Sequence, residues 1–144
     1  MQKKKGVKFL LSIFDTNDLK FVEKKIKANL IKIPSGEITN YPFLKYAAKQ
    51  NLPIILSTGL SSLAEIDRAV TVIEDAGNRE LAILHCVAEY PPKDTDTNLL
   101  NIKTLQRCYP QYHIGFSDHS IGSTASSMAI SLGASIIEKH FTLS

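Results

Sequence analysis

Apolar segments that favour strands alternate six times with segments that favour helices, and this alternation constrains the fold more than any other feature. Such near-continuous apolar segments are typical of parallel strands in a sheet that is covered on both faces. The chain is therefore predicted to be an α/β protein with about six parallel strands. The predicted strands are Val7–Phe14, Leu30–Pro34, Pro53–Gly59, Leu81–Val87, a fifth beginning at Ile114 and a sixth beginning at Ser135.

Capping signals mark where two of the intervening helices begin. Residues 15–18 offer N-caps for a first helix that is predicted to run to about Ala28. Ser62 and Glu65 have the spacing of a capping box, and the helix that follows them is predicted to end at Gly77.

Composition excludes several classes of partner. A net charge of +3 is too small to indicate nucleic-acid binding, and the basic run of residues 3–5 is interpreted as a solvated helix end. No apolar stretch has the length of a membrane span. Cys86 and Cys108 lack the spacing of a metal site, which favours a reduced, cytoplasmic protein. The 144 residues are enough for a single domain.

Polar side chains at the end of every predicted strand distinguish between two α/β architectures. At this length an open, flavodoxin-like sheet is the default, because a complete (β/α)8 barrel needs about 250 residues. An open sheet gathers its ligand at one switch point, whereas a barrel mouth collects side chains from all strands. The pattern therefore favours a partial TIM barrel. The strand-end residues are Ser12, Asp15, Lys32, Ser35, Glu37, Ser57, Thr58, His85, Glu89, Tyr90, Ser117, His119, Glu138 and His140.

The last two predicted strands flank a helical segment, 123–132, and together form a βαβ unit. His119 and His140 follow these strands at equivalent carboxyl ends, where α/β proteins keep their active sites. Two imidazoles brought together there could supply half of a metal site. The alternative is that each histidine caps a strand and hydrogen-bonds to a loop.

Several motifs at these strand ends resemble those of the sialic acid synthase family. They occur in the same order, at family-like spacing, and cover nearly the whole chain. The motifs are Lys32-Ile-Pro-Ser-Gly-Glu37, Ile55-Leu-Ser-Thr-Gly59, Leu84-His-Cys86, Tyr90-Pro91, Gly115-Phe-Ser-Asp-His-Ser120 and Ile137-Glu-Lys-His-Phe-Thr142.

This resemblance implies a reaction. Members of the family are transferases that use Mn²⁺ or Mg²⁺ to condense phosphoenolpyruvate with N-acetylmannosamine or a related amino sugar. C3 of phosphoenolpyruvate attacks the sugar aldehyde, water adds at C2, and phosphate leaves by C–O cleavage.

The resemblance also implies an architecture. The family's catalytic domain is a (β/α)8 barrel, and full-length members are homodimers in which an antifreeze-like C-terminal domain closes the neighbouring subunit's site. Residues 1–144 are expected to form one partial barrel corresponding to strands three to eight. The first two strands, with the family's glutamate base and a phosphate-contacting lysine, and the C-terminal domain are expected to be absent.

Ten residues receive roles from the resemblance. The predicted metal ligands are His119 and His140. Glu37 and Glu138 are predicted to bind sugar hydroxyls. All four residues are predicted to be catalytic. The predicted phosphoenolpyruvate contacts are Lys32, Ser35, Ser57 and Ser117, with Ser12 as a weaker contact. Tyr90 would line the same pocket.

Three further positions bear on this assignment. Ala88 stands where family members often have Asn or Ser, which leaves the choice of substrate open. Asp118 is predicted to orient either its loop or a histidine. Lys139 alternates to the face opposite Glu138 and His140, so a structural role is predicted for it.

Two other functions remain as alternatives. One is a Schiff-base aldolase on a similar barrel, with Lys32 or Lys139 as the nucleophile. The other is a non-catalytic remnant or partner-binding piece, since six strands leave two open edges. We expect the isolated chain to have little or no synthase activity and to associate, which an active, monodisperse monomer would refute.

Overall fold

The computed structural model describes residues 6–142 except residues 8 and 27, and this part of the chain contains one five-stranded parallel sheet. The predicted solvated helix end at residues 3–5 lies outside the described residues. The strands are β1 (Ile31–Ile33), β2 (Ile54–Ser57), β3 (Leu81–Cys86), β4 (His113–Asp118) and β5 (Ile137–Lys139). The α-helices are α1 (Thr16–Phe21), α2 (Tyr41–Ala48), α3 (Leu63–Asp75), α4 (Asn101–Cys108) and α5 (Thr124–Ser131).

The strand order decides between the two architectures. Each strand pairs in parallel with the next one in the chain, in the order β1-β2-β3-β4-β5. A doubly wound sheet reverses its order at a switch point, and this sheet has no reversal. Successive right-handed crossovers therefore place the helices on one face, and the sheet curls into part of a (β/α)8 barrel. The prediction of a partial barrel is confirmed.

Two apolar cores lie on opposite faces of the sheet. The larger contains the buried helix residues and the outward-facing strand residues, such as Ile33, Leu56 and Phe116. The smaller consists of inward-facing Ile55, Ala82 and Leu84, with the flanking residues 30 and 136 packed against them. Because side chains alternate along a strand, the polar residues in register with this smaller core also face the barrel interior.

The first predicted strand, residues 7–14, is reduced to an isolated parallel bridge between Ser12 and Lys32. The Ile13 N–H donates to the Lys32 carbonyl at 2.9 Å, but the described residues of this segment do not form a continuous strand. Phe9 and Phe14 are 46% and 56% exposed. The prediction of a strand at residues 7–14 is therefore wrong, because an apolar segment at a sheet edge lacks the packing that would extend its pairing.

Helix starts agree with their predicted caps better than helix ends do. Asp15 accepts hydrogen bonds from the N–H groups of Asn17 and Asp18, and Ser62 with Glu65 forms the predicted capping box. The first α-helix ends at Phe21, and a π-helix, Val22–Ile26, follows it where a single α-helix was predicted. Among the described residues, none of the helices combines the length and apolar character of a membrane span.

Gly115→Ala is expected to lower the free energy of unfolding by about 1–3 kcal/mol, the usual cost of overpacking a core. A Cβ at residue 115 would lie 2.5 Å from both the Ile136 carbonyl oxygen and a Leu84 methyl group. Urea denaturation measures the effect. Gly36→Ala is the matched control, since its Cβ would meet no atom within 4 Å. Equal stability of the two variants would contradict the prediction.

Candidate active site

A cavity of about 490 Å³, which we call the main cavity, opens at the carboxyl ends of the strands. Nine of the ten predicted site residues line it. Glu37 is the exception: it lies in the 3-10 helix Ser35–Glu37, and its carboxylate accepts a hydrogen bond from Asn40. The nine are Ser12, Lys32, Ser35, Ser57, Tyr90, Ser117, His119, Glu138 and His140.

Lys32 provides the buried positive charge of the main cavity. It is 3% exposed, and its Nζ donates to the Ser57 hydroxyl at 2.7 Å. Glu138 Oε2 lies 3.5 Å from the same nitrogen. Burial lowers the pKa of Lys32, and the neighbouring carboxylate of Glu138 opposes this shift. Lys32 lies in β1 and Glu138 in β5, the two edge strands of the sheet. The curl of the sheet brings these edge strands close enough for the two side chains to meet.

Ser117 lies between Glu138 and His119 and contacts both side chains. The Ser117 hydroxyl donates to Glu138 Oε2 at 2.6 Å, and Ser117 Oγ lies 3.3 Å from His119 Nε2. His119 Nδ1 lies 2.8 Å from the Val87 carbonyl oxygen. A carbonyl can only accept, so Nδ1 carries a proton, and the tautomer protonated only there presents the Nε2 lone pair to the main cavity.

The two histidines predicted to meet at one rim do so. The ring centroids of His119 and His140 are 5.5 Å apart. Tyr90 stacks on His119 with a centroid distance of 4.1 Å and meets His140 edge-on at 5.9 Å. The ring of Tyr90 therefore restricts both imidazoles to the mouth of the cavity.

One feature of His119 is shared with histidines that bind metal ions. A ligating histidine usually donates its other ring N–H to a backbone carbonyl, as His119 does to Val87. The described residues contain no cluster of three or more His, Cys, Asp or Glu side chains that could hold a metal ion. If a metal ion bound at this rim, His119 and His140 would be its imidazole donors.

Ser35 is held by the loop after β2 and by a residue that the sequence analysis did not assign. Its hydroxyl accepts from the Gly59 N–H at 2.8 Å and donates to Cys86 Sγ at 3.7 Å. Cys86 is buried and lines the main cavity. Strand alternation could have identified it, because Cys86 lies two residues after the inward-facing Leu84.

His85 is also unassigned by the sequence, and it points to the helix side of the sheet. Its Nε2 lies 2.7 Å from the Thr97 carbonyl oxygen, and its ring stacks on Phe116 at a centroid distance of 5.6 Å. Burial lowers the pKa of His85. The contact anchors the loop that carries Val87 and Tyr90, and through them it positions His119.

An ion pair between Lys139 and the fully buried Asp118 joins β4 and β5. Lys139 Nζ lies 2.9 Å from Asp118 Oδ2 and donates to the Ser120 carbonyl at 2.8 Å. Asp118 also accepts from the Ser120 N–H, the Ser120 hydroxyl and the Ser126 hydroxyl. Asp118 therefore orients the loop that follows β4, which is one of the two roles predicted for it. Lys139 is tied into a structural network, in agreement with its prediction.

The whole chain, residues 1–144, matches the NeuB family. The chain belongs to the NeuB family. Among its relatives, it is 41% identical to the N,N'-diacetyllegionaminic acid synthase of Campylobacter jejuni, over 98% of this chain and 42% of that protein. It is 38% identical to the N-acetylneuraminate-9-phosphate synthase of Drosophila melanogaster, over 98% of this chain and 38% of that protein.

Solved structures of the NeuB family agree with the fold. The chain superposes on the N-acetylneuraminic acid (sialic acid) synthetase of Leptospira borgpetersenii, solved in complex with citrate, with a TM-score of 0.93 and 38% identity. The match covers 99% of this chain and 49% of that one. The chain thus spans less than half the length of these NeuB-family proteins.

Proposed function

We propose that the chain forms the substrate-binding side of a nonulosonic acid synthase, which condenses phosphoenolpyruvate with an N-acetylated amino sugar and releases phosphate. The observation that carries this proposal is the cluster of side chains at one rim. Lys32 contacts Ser57 and Glu138, Ser117 lies between Glu138 and His119, and His140 lies beside His119. The names of the synthases that share the family support the same reaction class.

Lys32 and the strand-end serines suit an anionic donor. Phosphoenolpyruvate carries a phosphate and a carboxylate, which bind best to an ammonium and hydroxyl donors in a desolvated site. The hydroxyls of Ser57 and Ser117 flank the Lys32 ammonium and the Glu138 carboxylate. A bound anion would compete with the Glu138 carboxylate for the Lys32 ammonium. The ammonium would then pair with the anion instead of with Glu138.

His119 and His140 suit a divalent metal, proposed to be Mn²⁺ or Mg²⁺. When bound, such an ion would act as a Lewis acid on the oxygen of the sugar aldehyde. The residues of the chain have their own tasks: Val87 fixes the His119 tautomer, and Tyr90 restricts the ring. Glu138 places a carboxylate beside the donor, where positive charge develops at C2 during the condensation.

Metal binding is testable on this chain without catalysis. His119→Ala and His140→Ala are each expected to weaken Mn²⁺ binding by at least about tenfold, the scale seen when the support of a metal ligand is lost. Electron paramagnetic resonance of free Mn²⁺ measures the affinity. His113→Ala is the matched control, since His113 is exposed at the opposite end of β4. If all three variants bind Mn²⁺ as the wild type does, the metal assignment is wrong.

The lowered pKa of Lys32 favours one alternative, a Schiff-base aldolase. An amine whose pKa is lowered in a cavity is a better nucleophile toward a carbonyl. Borohydride reduction in the presence of pyruvate would then add mass to Lys32, as mass spectrometry would show. Lys139 is a poor candidate because its ammonium is bound to Asp118. An unmodified Lys32 together with metal-dependent phosphate release would exclude this alternative.

Two properties of the complete protein belong to the same proposal. Both cysteines are free, which supports a reducing, cytoplasmic location. Assembly as a homodimer is proposed from the resemblance to the family, and analytical ultracentrifugation of the complete protein would test it.

A further inference from the structure

A second cavity, of about 410 Å³, lies beside the main cavity, and we call it the side cavity. It is enclosed by the N-terminal halves of α3 and α4 and by the loop that follows β3. Leu60, Cys86 and Ala88 line both cavities, so the two meet at this boundary. The edge strands β1 and β5 contribute no lining residue to the side cavity, which is formed where the inner strands β2 and β3 end, together with α3 and α4.

The two cavities differ in charge. The main cavity contains the buried Lys32 ammonium, which suits an anion. The described lining of the side cavity includes no Lys or Arg, and Asp96 is its acidic residue. A phosphate or a carboxylate would find no opposite charge there, whereas a neutral ligand would find several hydrogen-bonding groups. Those groups come from Ser61, His85, Asn98, Asn101 and Thr104.

His85 presents a hydrogen-bond acceptor to the side cavity. Its Nε2 N–H donates to the Thr97 carbonyl, so Nδ1 of the neutral ring is a lone-pair acceptor. The side chain is only 5% exposed, and no hydrogen bond to Nδ1 occurs within the described residues. No fully buried side-chain nitrogen or oxygen in that part of the chain lacks a partner, so Nδ1 keeps some accessible surface, and His85 lines the side cavity. Burial lowers the pKa of His85, which preserves the acceptor at neutral pH.

The remaining lining is apolar and accessible. Leu60 is 90% exposed and Leu63 is 48% exposed, and both line the side cavity together with polar residues of α4. A concave site that combines apolar surface with a few hydrogen-bonding groups is the usual environment of a small organic ligand. Sugars that carry hydroxyl or acylamino groups match this combination, because their C–H faces are apolar and their substituents both donate and accept.

We propose that the side cavity receives the non-reacting end of the acceptor sugar, while the aldehyde end stays in the main cavity near His119 and His140. This inference rests on the proposed function, which requires one anionic donor and one neutral acceptor. The small side chain of Ala88 at the boundary leaves room for the sugar to extend from one cavity into the other. The neutral lining favours an acceptor whose far end carries hydroxyl or acetamido groups rather than a phosphate.

Two substitutions in α4 test this inference with little risk to folding. Asn101 and Thr104 are exposed, and neither side chain makes a hydrogen bond within the described residues. The double variant Asn101→Ala/Thr104→Val is expected to bind N-acetylmannosamine about tenfold more weakly, as expected for the loss of two hydrogen bonds. Isothermal titration in the presence of Mn²⁺ and phosphoenolpyruvate measures this affinity, and a thermal melt confirms folding. Lys103→Ala, on the same helix but outside the cavity, is the matched control.

The outcomes separate this inference from the proposed function. Weaker sugar binding in the double variant, with phosphoenolpyruvate affinity and the Lys103 control unchanged, supports the side cavity. Sugar binding that is unchanged in the double variant overturns the side cavity and leaves the proposed function standing. A wild-type chain that binds phosphoenolpyruvate but no amino sugar overturns both. If N-acetylmannosamine 6-phosphate binds more tightly than N-acetylmannosamine, the proposal that the ligand is neutral is wrong.

Discussion

Replacing Lys32 with methionine is expected to lower the affinity for phosphoenolpyruvate by about a hundredfold, the scale of one lost charge-assisted hydrogen bond in a buried site. The same substitution should leave the free energy of unfolding unchanged or raise it. Lys32 is almost completely buried, and replacing a buried ion with an apolar side chain of similar length is often neutral or stabilising. The side chain of Glu138 is 39% exposed, so its carboxylate can remain hydrated after the substitution.

Isothermal titration of phosphoenolpyruvate and urea denaturation measure these two effects of Lys32→Met. Lys45→Met is the matched control, because Lys45 is exposed on α2 and should change neither quantity. A large loss of stability in Lys32→Met would show that the ammonium is needed for folding. Unchanged phosphoenolpyruvate affinity would remove Lys32 from the donor site.

Replacing Asp118 with alanine is expected to have the largest effect on stability, a loss of about 2–4 kcal/mol in the free energy of unfolding, because buried hydroxyls are left without their acceptor. Asp118 is fully buried, and its loss leaves Lys139 without its counter-ion and two serine hydroxyls without their acceptor. Urea denaturation measures the change. Asp75→Ala, at an exposed position at the end of α3, is the control and should be nearly neutral.

The stabilisation by Asp118 should depend on pH in the acid range. Burial by itself would raise the pKa of Asp118, but hydrogen bonds from Ser120, Ser126 and Lys139 outweigh it and lower the pKa from 3.8 to about 2. Because the folded-state pKa is the lower one, the contribution is present above about pH 4 and is lost as the pH falls toward 2. This difference in pKa corresponds to about 2 kcal/mol.

The variant Asp118→Asn provides the reference for that measurement, since it cannot titrate. The stability difference between the wild type and Asp118→Asn should therefore shrink between pH 5 and about pH 2, the range that the two pKa values define. A difference that stays constant over this range would show that the carboxylate does not carry the effect.

Local sequence signals predicted the helix starts and the inward-facing polar residues well. The capping box of Ser62 and Glu65 formed because its hydrogen bonds lie within one helical turn. The alternation of side chains along β4 and β5 was enough to place Ser117 and Glu138 on one face and Asp118 and Lys139 on the other.

Long-range contacts account for the predictions that were wrong or absent. The first predicted strand has the composition of a strand, but as an edge it forms only the bridge at Ser12. Glu37 follows a strand as the other site residues do, yet the 3-10 turn at Ser35–Glu37 directs it toward Asn40. The roles of Cys86 and His85 depend on contacts with residues far along the chain: Cys86 contacts Ser35, 51 positions away, and His85 contacts Thr97, 12 positions away.

The amino-acid sequence by itself determined the α/β class, the family motifs and the set of residues at the strand ends, because these follow from side-chain alternation and short-range spacing. Only the tertiary structure decided that the strand order has no reversal, that Lys32 contacts Glu138, and that the rings of His119 and His140 lie 5.5 Å apart. These contacts join residues far apart in the chain, and their distances arise from the curl and register of the sheet, which no local pattern encodes.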